Sequence, residues 1–200
     1  FVNDMLSFGI WNTDTATTVA QVETNRLFRD TSGYYNIVCA VDTTQAVAAD
    51  RVKLYVNGVQ ETSLSTSTYM AQDYDTGINT QNPHAIGRWE DGASRYFDGL
   101  MTHIQLVDGL ALAPTEFGQV DATSGIWKIK TACYATPGTN GFCLKMETTA
   151  GSAMGTDSSG EGNNFTENGS PTQTVDNPSN NFCVFSNTTM KNRTWATKGG

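Results

Sequence analysis

Two short loops hold the side chains with the strongest claim to chemistry. AQDYDTGINTQN supplies Asp73, Tyr74 and Asp75, and GRWEDGASRYF supplies Arg88, Trp89, Glu90, Asp91 and Tyr96. An aromatic face beside carboxylate and guanidinium groups suits a sugar ring, whose C–H face stacks on the aromatic while its hydroxyls bond to the polar neighbours. Tyr74, Asp75, Arg88 and Trp89 are therefore the ligand-binding residues expected from the sequence. The blander reading is that Trp89 and Tyr96 pack beneath a loop and the acids are merely solvated. Oxygen-rich loops also raise the question of calcium, for which Asp157, Asn163 and Asn164 are further candidates. Side-chain to backbone turns explain those three equally well.

Catalysis finds less support. Glycoside hydrolysis needs two carboxylates flanking a sugar, most simply as an E-x-D-x-x-E run on one strand face, and the chain has no such run. Glu90 and Asp91 are adjacent, so on a strand they point to opposite faces. His84 and His103 have no Ser or Cys nucleophile motif beside them, and His103 reads as a satisfied core or interface residue. No catalytic activity is expected.

The four cysteines are Cys39, Cys133, Cys143 and Cys183, with no CxxC pair and no His at zinc-ligand spacing. Cys39 lies within IVCAV and is expected to act as a small buried apolar residue. Cys133 and Cys143 flank ATPGTNG and could meet across a hairpin, but spacing does not establish a bridge, and the reading adopted here leaves the thiols unpaired.

The elements that must position these residues are strands. Val52, Leu54 and Val56 alternate with Arg51, Lys53 and Tyr55, and Asn57-Gly58 follows, so RVKLYVNGVQET predicts a hairpin with positive φ in its turn. Tyr35, Ile37, Cys39 and Val41 alternate in a second strand ending at Asp42. Leu100, Thr102, Ile104 and Leu106 alternate with the similarly apolar Met101 and Val107, which predicts a long central strand. Shorter strands are expected at MLSFGIW, TVAQVET, HAIGRW and GFCLKME, and one short helix at LAPTEFG with Pro114 in its first turn. Tyr35, Ile37, Val52, Leu54, Ile104 and Leu106 are the expected core. The pattern predicts an all-β, antiparallel two-sheet sandwich over residues 1–130, followed over 131–200 by an extended, turn-rich arm or the start of a further jelly-roll segment.

Composition narrows the partners. The chain has 200 residues, a formal charge of −8 and 16% charged residues, against about one quarter in an average soluble domain. No basic cluster offers a nucleic-acid footprint, and no apolar run approaches the about 18 residues of a membrane span. The opening FVNDMLSFGIW has neither initiator Met nor signal-peptide pattern and reads as an excerpt of a longer chain.

Several of these segments also stand in a familiar order. YYNIVCAVDTTQAVAADRVKLYVNGVQ, then HAIGRWEDGASRYFDGLMTHIQLVDGLALAPTEFG, resembles a laminin-G/pentraxin-type member of the concanavalin A-like jelly rolls. It shows the aromatic-led strand ending in Asp, the LYVNG strand end, the IG turn, the F-D-G turn and the AL-x-P segment. More narrowly, VDTTQAVAADRVKLYVNGVQ, DGLALAPTEFGQVDATSGIW and GTNGFCL followed by GTDSSGEGNNFT are similar to repeated structural or fibre proteins of marine tailed phages. The resemblance implies a virion structural protein, in a fibre, appendage or capsid decoration, with other virion subunits as homo-oligomeric partners and host-surface glycan as a ligand. It implies assembly in the host cytoplasm, with which unpaired cysteines agree, and work outside the cell. A secreted laminin-G-like carbohydrate-binding or adhesion module is the alternative.

Overall fold

The computed structural model describes residues 1–12, 15–78, 83–88, 96–147, 153–174 and 178. Trp89, Glu90 and Asp91 lie outside the described residues. Among the described residues ten strands occur in chain order: β1 (Met5–Asn12), β2 (Thr17–Leu27), β3 (Ile37–Val41), β4 (Val52–Val56), β5 (Val59–Gln60), β6 (Leu64–Thr68), β7 (Ile104–Leu106), β8 (Gly118–Val120), β9 (Trp127–Ile129) and β10 (Phe142–Leu144). Every pairing between them is antiparallel. The only helical pieces among the described residues are single 3-10 turns at Ala48–Asp50 and Pro114–Glu116. The second carries Pro114 at its start, as LAPTEFG predicts.

Two three-stranded sheets, β1-β2-β6 and β3-β4-β5, form the sandwich. One core joins them: Leu6, Ala20 and Val22 from the first sheet pack with Val52, Leu54 and Val56 from the second, and Met70 closes one side. Burial of each such Val or Leu is worth about 1.5–3 kcal/mol before the cost of ordering the chain. The alternation read from β4 is therefore real, with Leu54 only 2% exposed.

The β4–β5 hairpin also forms as expected. Asn57 and Gly58 have φ of 49° and 78°, and Val56 pairs with Val59 across them. Asn57 then bridges outward, its side-chain oxygen accepting the Asn36 N–H at 2.8 Å. The Asn36 side-chain oxygen in turn accepts from Trp127 Nε1 at 3.0 Å. A Cβ on either Gly58 or Gly118 would run into the Trp127 indole. Two glycines thus make room for one indole, which fastens the β8-β9 pair to the hairpin turn.

Other expectations need correction. Cys39 is exposed, not buried. It shares its face with Leu54, its pairing partner, but among the described residues β3 pairs only with β4, so this face is incompletely covered at the sheet edge. The surrounding protein still pushes the Cys39 thiol up to about 12 by desolvation, making it a poor nucleophile near neutrality. Tyr35 and Ile37 are half-buried beside the core, and Val38, on the opposite face, is buried. The expected strand around Ile104 shrinks to three half-buried residues, paired among the described residues with β10 alone. His103, at φ 51°, breaks the extended backbone just before it. No strand forms in the described part of HAIGRW.

The Trp127 arrangement generates a prediction. Gly58→Ala must place a methyl group at positive φ and against the indole, and is expected to cost about 2 kcal/mol or more in urea unfolding. Asn57→Gly keeps the turn conformation and is expected to cost less. Equal stability of the Gly58→Ala variant and the parent would contradict this packing.

Candidate functional site

The loop residues expected to bind ligand are placed unequally. Arg51 is buried although no carboxylate among the described residues pairs with it. Its guanidinium instead donates to the carbonyls of Gln45 (2.8 Å), Met70 (2.7 Å) and Ala46 (3.1 Å). This clamp draws the 69–73 segment onto the loop before β4. The Asp73 N–H then donates to Thr43 O at 2.8 Å, and Gln72 Nε2 to Thr44 O at 2.9 Å. Tyr74, next along, is half-buried and packs on the core, so part of its ring is committed to packing. Asp75 and Arg88 are exposed. The Arg88 loop is closed by a backbone bond from Phe97 N–H to Gly87 O at 2.7 Å.

A second polar group, which the sequence reading missed, lies on the face of β1-β2-β6 turned away from the core. Glu23 on β2 pairs with Ser7 of β1 and Thr66 of β6. Its Oε1 accepts from Ser7 Oγ and from Gln21 Nε2, each at 3.0 Å, and its Oε2 accepts from Thr66 Oγ1 at 3.0 Å. These three side chains leave Glu23 only 7% exposed. They form a thin cover at the surface and do not sink the carboxylate into the interior. The Gln21 hydrogen bond foremost, with those from Thr66 and Ser7, holds the Glu23 carboxyl below the usual carboxylate range despite the desolvation that opposes it. Glu23 therefore stays ionised at neutral pH, without a cation among its described partners.

The next row along the same face is Gly9, Gln21 and Thr68. A β-bulge follows between Ile10 and Trp11, and Trp11 pairs with Thr18. Gly9 and Thr68 are exposed, and Trp11 is 56% exposed. One strand thus presents Ser7, Gly9 and Trp11 in succession. The signal was present as every second residue of LSFGIW, hidden because Ser and Gly read as turn formers.

The candidate calcium residues of the last third are occupied by the protein itself. Asp157 Oδ1 accepts the N–H groups of Cys143 (2.8 Å) and Ser159 (2.9 Å), and Oδ2 accepts Ser159 Oγ (2.8 Å) and Asn163 N–H (3.0 Å). Asn163 Nδ2 donates to Thr139 O and Gly141 O, and Asn164 Oδ1 accepts the Asp157 N–H. Of the two earlier readings, side-chain to backbone turns are what forms. Desolvation raises the Asp157 pKa, but the bonds from Cys143, Ser159 and Asn163 outweigh it and the net shift is downward. Among the described residues no cluster of three or more His, Cys, Asp or Glu is placed to hold a metal.

This knot seats residues 153–168 on β10, where Phe142 and Phe165 meet edge to face at 4.8 Å. A Cys133–Cys143 disulfide ties the same strand backward. The expectation of unpaired thiols is thereby corrected for these two, while Cys39 is free and Cys183 lies outside the described residues. The turns at Gly138 and Gly141 bring the two Cα atoms to 5.8 Å, a proximity that residue spacing alone did not reveal. His103 differs from its expected satisfied state. Its Nδ1 meets the Thr102 hydroxyl at 2.8 Å, but its buried Nε2 has no hydrogen-bond partner among the described residues, and burial lowers its pKa.

The Asp157 knot generates a pH prediction. Because its folded pKa is lowered, the stabilisation is complete above the unfolded carboxylate value of 3.8 and is lost as pH falls through the folded value. Asp157→Ala is expected to speed hydrogen exchange at the Cys143, Ser159 and Asn163 amides by about tenfold or more at neutral pH, while β4 stays protected. Unchanged exchange at those amides would show that the carboxylate does not hold the segment.

A family model described as the concanavalin A-like lectin/glucanases superfamily, of laminin-G type, matches residues 2–116, more than half of the chain. No curated protein and no solved structure matches it. The match spans both sheets of the sandwich, the Asn57-Gly58 hairpin and the Pro114 turn. The chain belongs to the laminin-G-type branch of the concanavalin A-like superfamily.

Proposed function

We propose that the chain is a non-catalytic carbohydrate-binding or adhesion module, carried in the virion of a tailed phage as part of a fibre, appendage or capsid-decorating protein. Membership of the concanavalin A-like superfamily carries the adhesion part of this reading. A rigid sandwich that offers solvent polar loops and a polar sheet face can hold a glycan without reorganising. The absence of catalysis is supported by Glu23, the one buried carboxylate among the described residues. Its hydrogen-bond partners are Ser7, Gln21 and Thr66, with no second acid among them, and its lowered pKa makes it a poor general acid.

The virion placement rests on the similarity of the VDTTQAVAADRVKLYVNGVQ, DGLALAPTEFGQVDATSGIW and GTDSSGEGNNFT segments to phage structural proteins. One observation favours the second reading, a secreted adhesion module. The Cys133–Cys143 bridge suits an oxidising compartment and removes the support that unpaired cysteines lent to cytoplasmic assembly.

Two measurements test these statements. A glycan array probed with the intact chain is expected to show binding to a restricted set of glycans, with no reducing ends released from laminarin, agarose or alginate. Sustained hydrolysis abolished by one Asp or Glu substitution would contradict the non-catalytic reading. Mass spectrometry of alkylated chain taken from assembled particles is expected to find it as a stoichiometric virion component, and recovery only from a secreted fraction would favour the second placement.

A further inference from the structure

We propose that the glycan site is the outer face of β1-β2-β6, with a neutral hexopyranose seated over Gly9 between the Glu23 row and the Trp11 indole. This deepens the adhesion reading and rests on it. Consecutive same-face residues on a strand are about 7 Å apart, so the Glu23 row and Trp11 flank the Gly9 row at about one sugar ring's width on either side. Gly9 leaves that row open. A Cβ built there finds its nearest neighbour at 3.8 Å, the Ala20 carbonyl, and meets no side chain.

The chemistry of the face selects the ligand. Ser7, Gln21 and Thr66 each spend a hydrogen on Glu23, which leaves the oxygens of these half-buried side chains as acceptors. A row of acceptors calls for a ligand with several adjacent O–H donors. An ionised carboxylate with no cation among its described partners repels acidic sugars, as does the net charge of −8. At the far end, the exposed Trp11 indole offers an apolar face for sugar C–H groups. Donor-rich edges, an apolar face and no negative charge together describe a neutral hexose. A bare cation fits less well, since three hydrogen-bond donors already share the Glu23 charge and Trp11 would have no role.

Calorimetric titration of the intact chain with neutral gluco-, manno- and galacto-oligosaccharides, and with alginate oligosaccharides as the acidic comparison, tests the site. At least one neutral series is expected to bind, and alginate is expected not to. Trp11→Ala should weaken binding about tenfold or more. Gly9→Phe, which fills the gap from an exposed strand position whose Cβ meets no side chain, should abolish it while leaving the unfolding midpoint unchanged or raised. Glu23→Gln should also weaken binding, and chelation with EDTA should have no effect. Binding that survives Trp11→Ala and Gly9→Phe but is lost in Asp75→Ala or Arg88→Ala would overturn the sheet-face site and leave the adhesion reading intact. Binding abolished by EDTA and restored by calcium would likewise overturn it. Absence of binding to every glycan on the array would overturn both.

Discussion

Two three-stranded antiparallel sheets bury one face each against the other, and the two-residue period of a β-strand decides everything that follows. Once Leu6, Ala20 and Val22 are committed to the core with Val52, Leu54 and Val56, their neighbours have no choice of side. Ser7, Gln21 and Glu23 must face outward, as must Thr66 and Thr68 opposite them on β6. The hydrophobic term that folds the domain therefore also assembles a polar face. A one-residue slip of β2 would bury Glu23 without its partners, so register and polar network enforce each other.

The second organising device is packing around glycine. The Trp127 indole fits only because Gly58 and Gly118 lack a Cβ, and its N–H reaches Asn36, which is itself bonded to Asn57 of the hairpin turn. The turn thereby serves twice, reversing the chain and forming the seat for a side chain about seventy residues later. Arg51 plays a comparable part at the other end of β4, where three backbone carbonyls replace the carboxylate partner a buried guanidinium ordinarily takes.

Legibility in the sequence followed the strength of local signals. Asn57-Gly58 and the alternation of β4 are short-range features, and both were read with their consequences. Cys39 was misread because it alternates with Ile37 and Val41 as a buried series would, and those two do pack on the core, whereas its own burial at the sheet edge depends on strands that local sequence does not specify. His103 escaped for a different reason: its φ of 51° falls on a residue with no turn signal beside it. The Cys133–Cys143 contact and the Asp157 knot depend on how residues 133–165 fold back on β10. Loop composition pointed to Tyr74, Asp75 and Arg88, while the Glu23 network stayed hidden because its members are scattered over three strands and only register unites them.

The sheet face and the loops make different claims on the same ligand, and backbone amide shifts can separate them. In a heteronuclear NMR titration of the intact chain with a neutral hexose oligosaccharide, shift changes are expected at the amides of Ser7, Gly9, Trp11, Gln21 and Glu23 and at Thr66 and Thr68. The amides of Asp73 to Thr76 and of Gly87 and Arg88 are expected to stay fixed. Changes confined to those loop amides, or no changes at saturating sugar, would contradict the account.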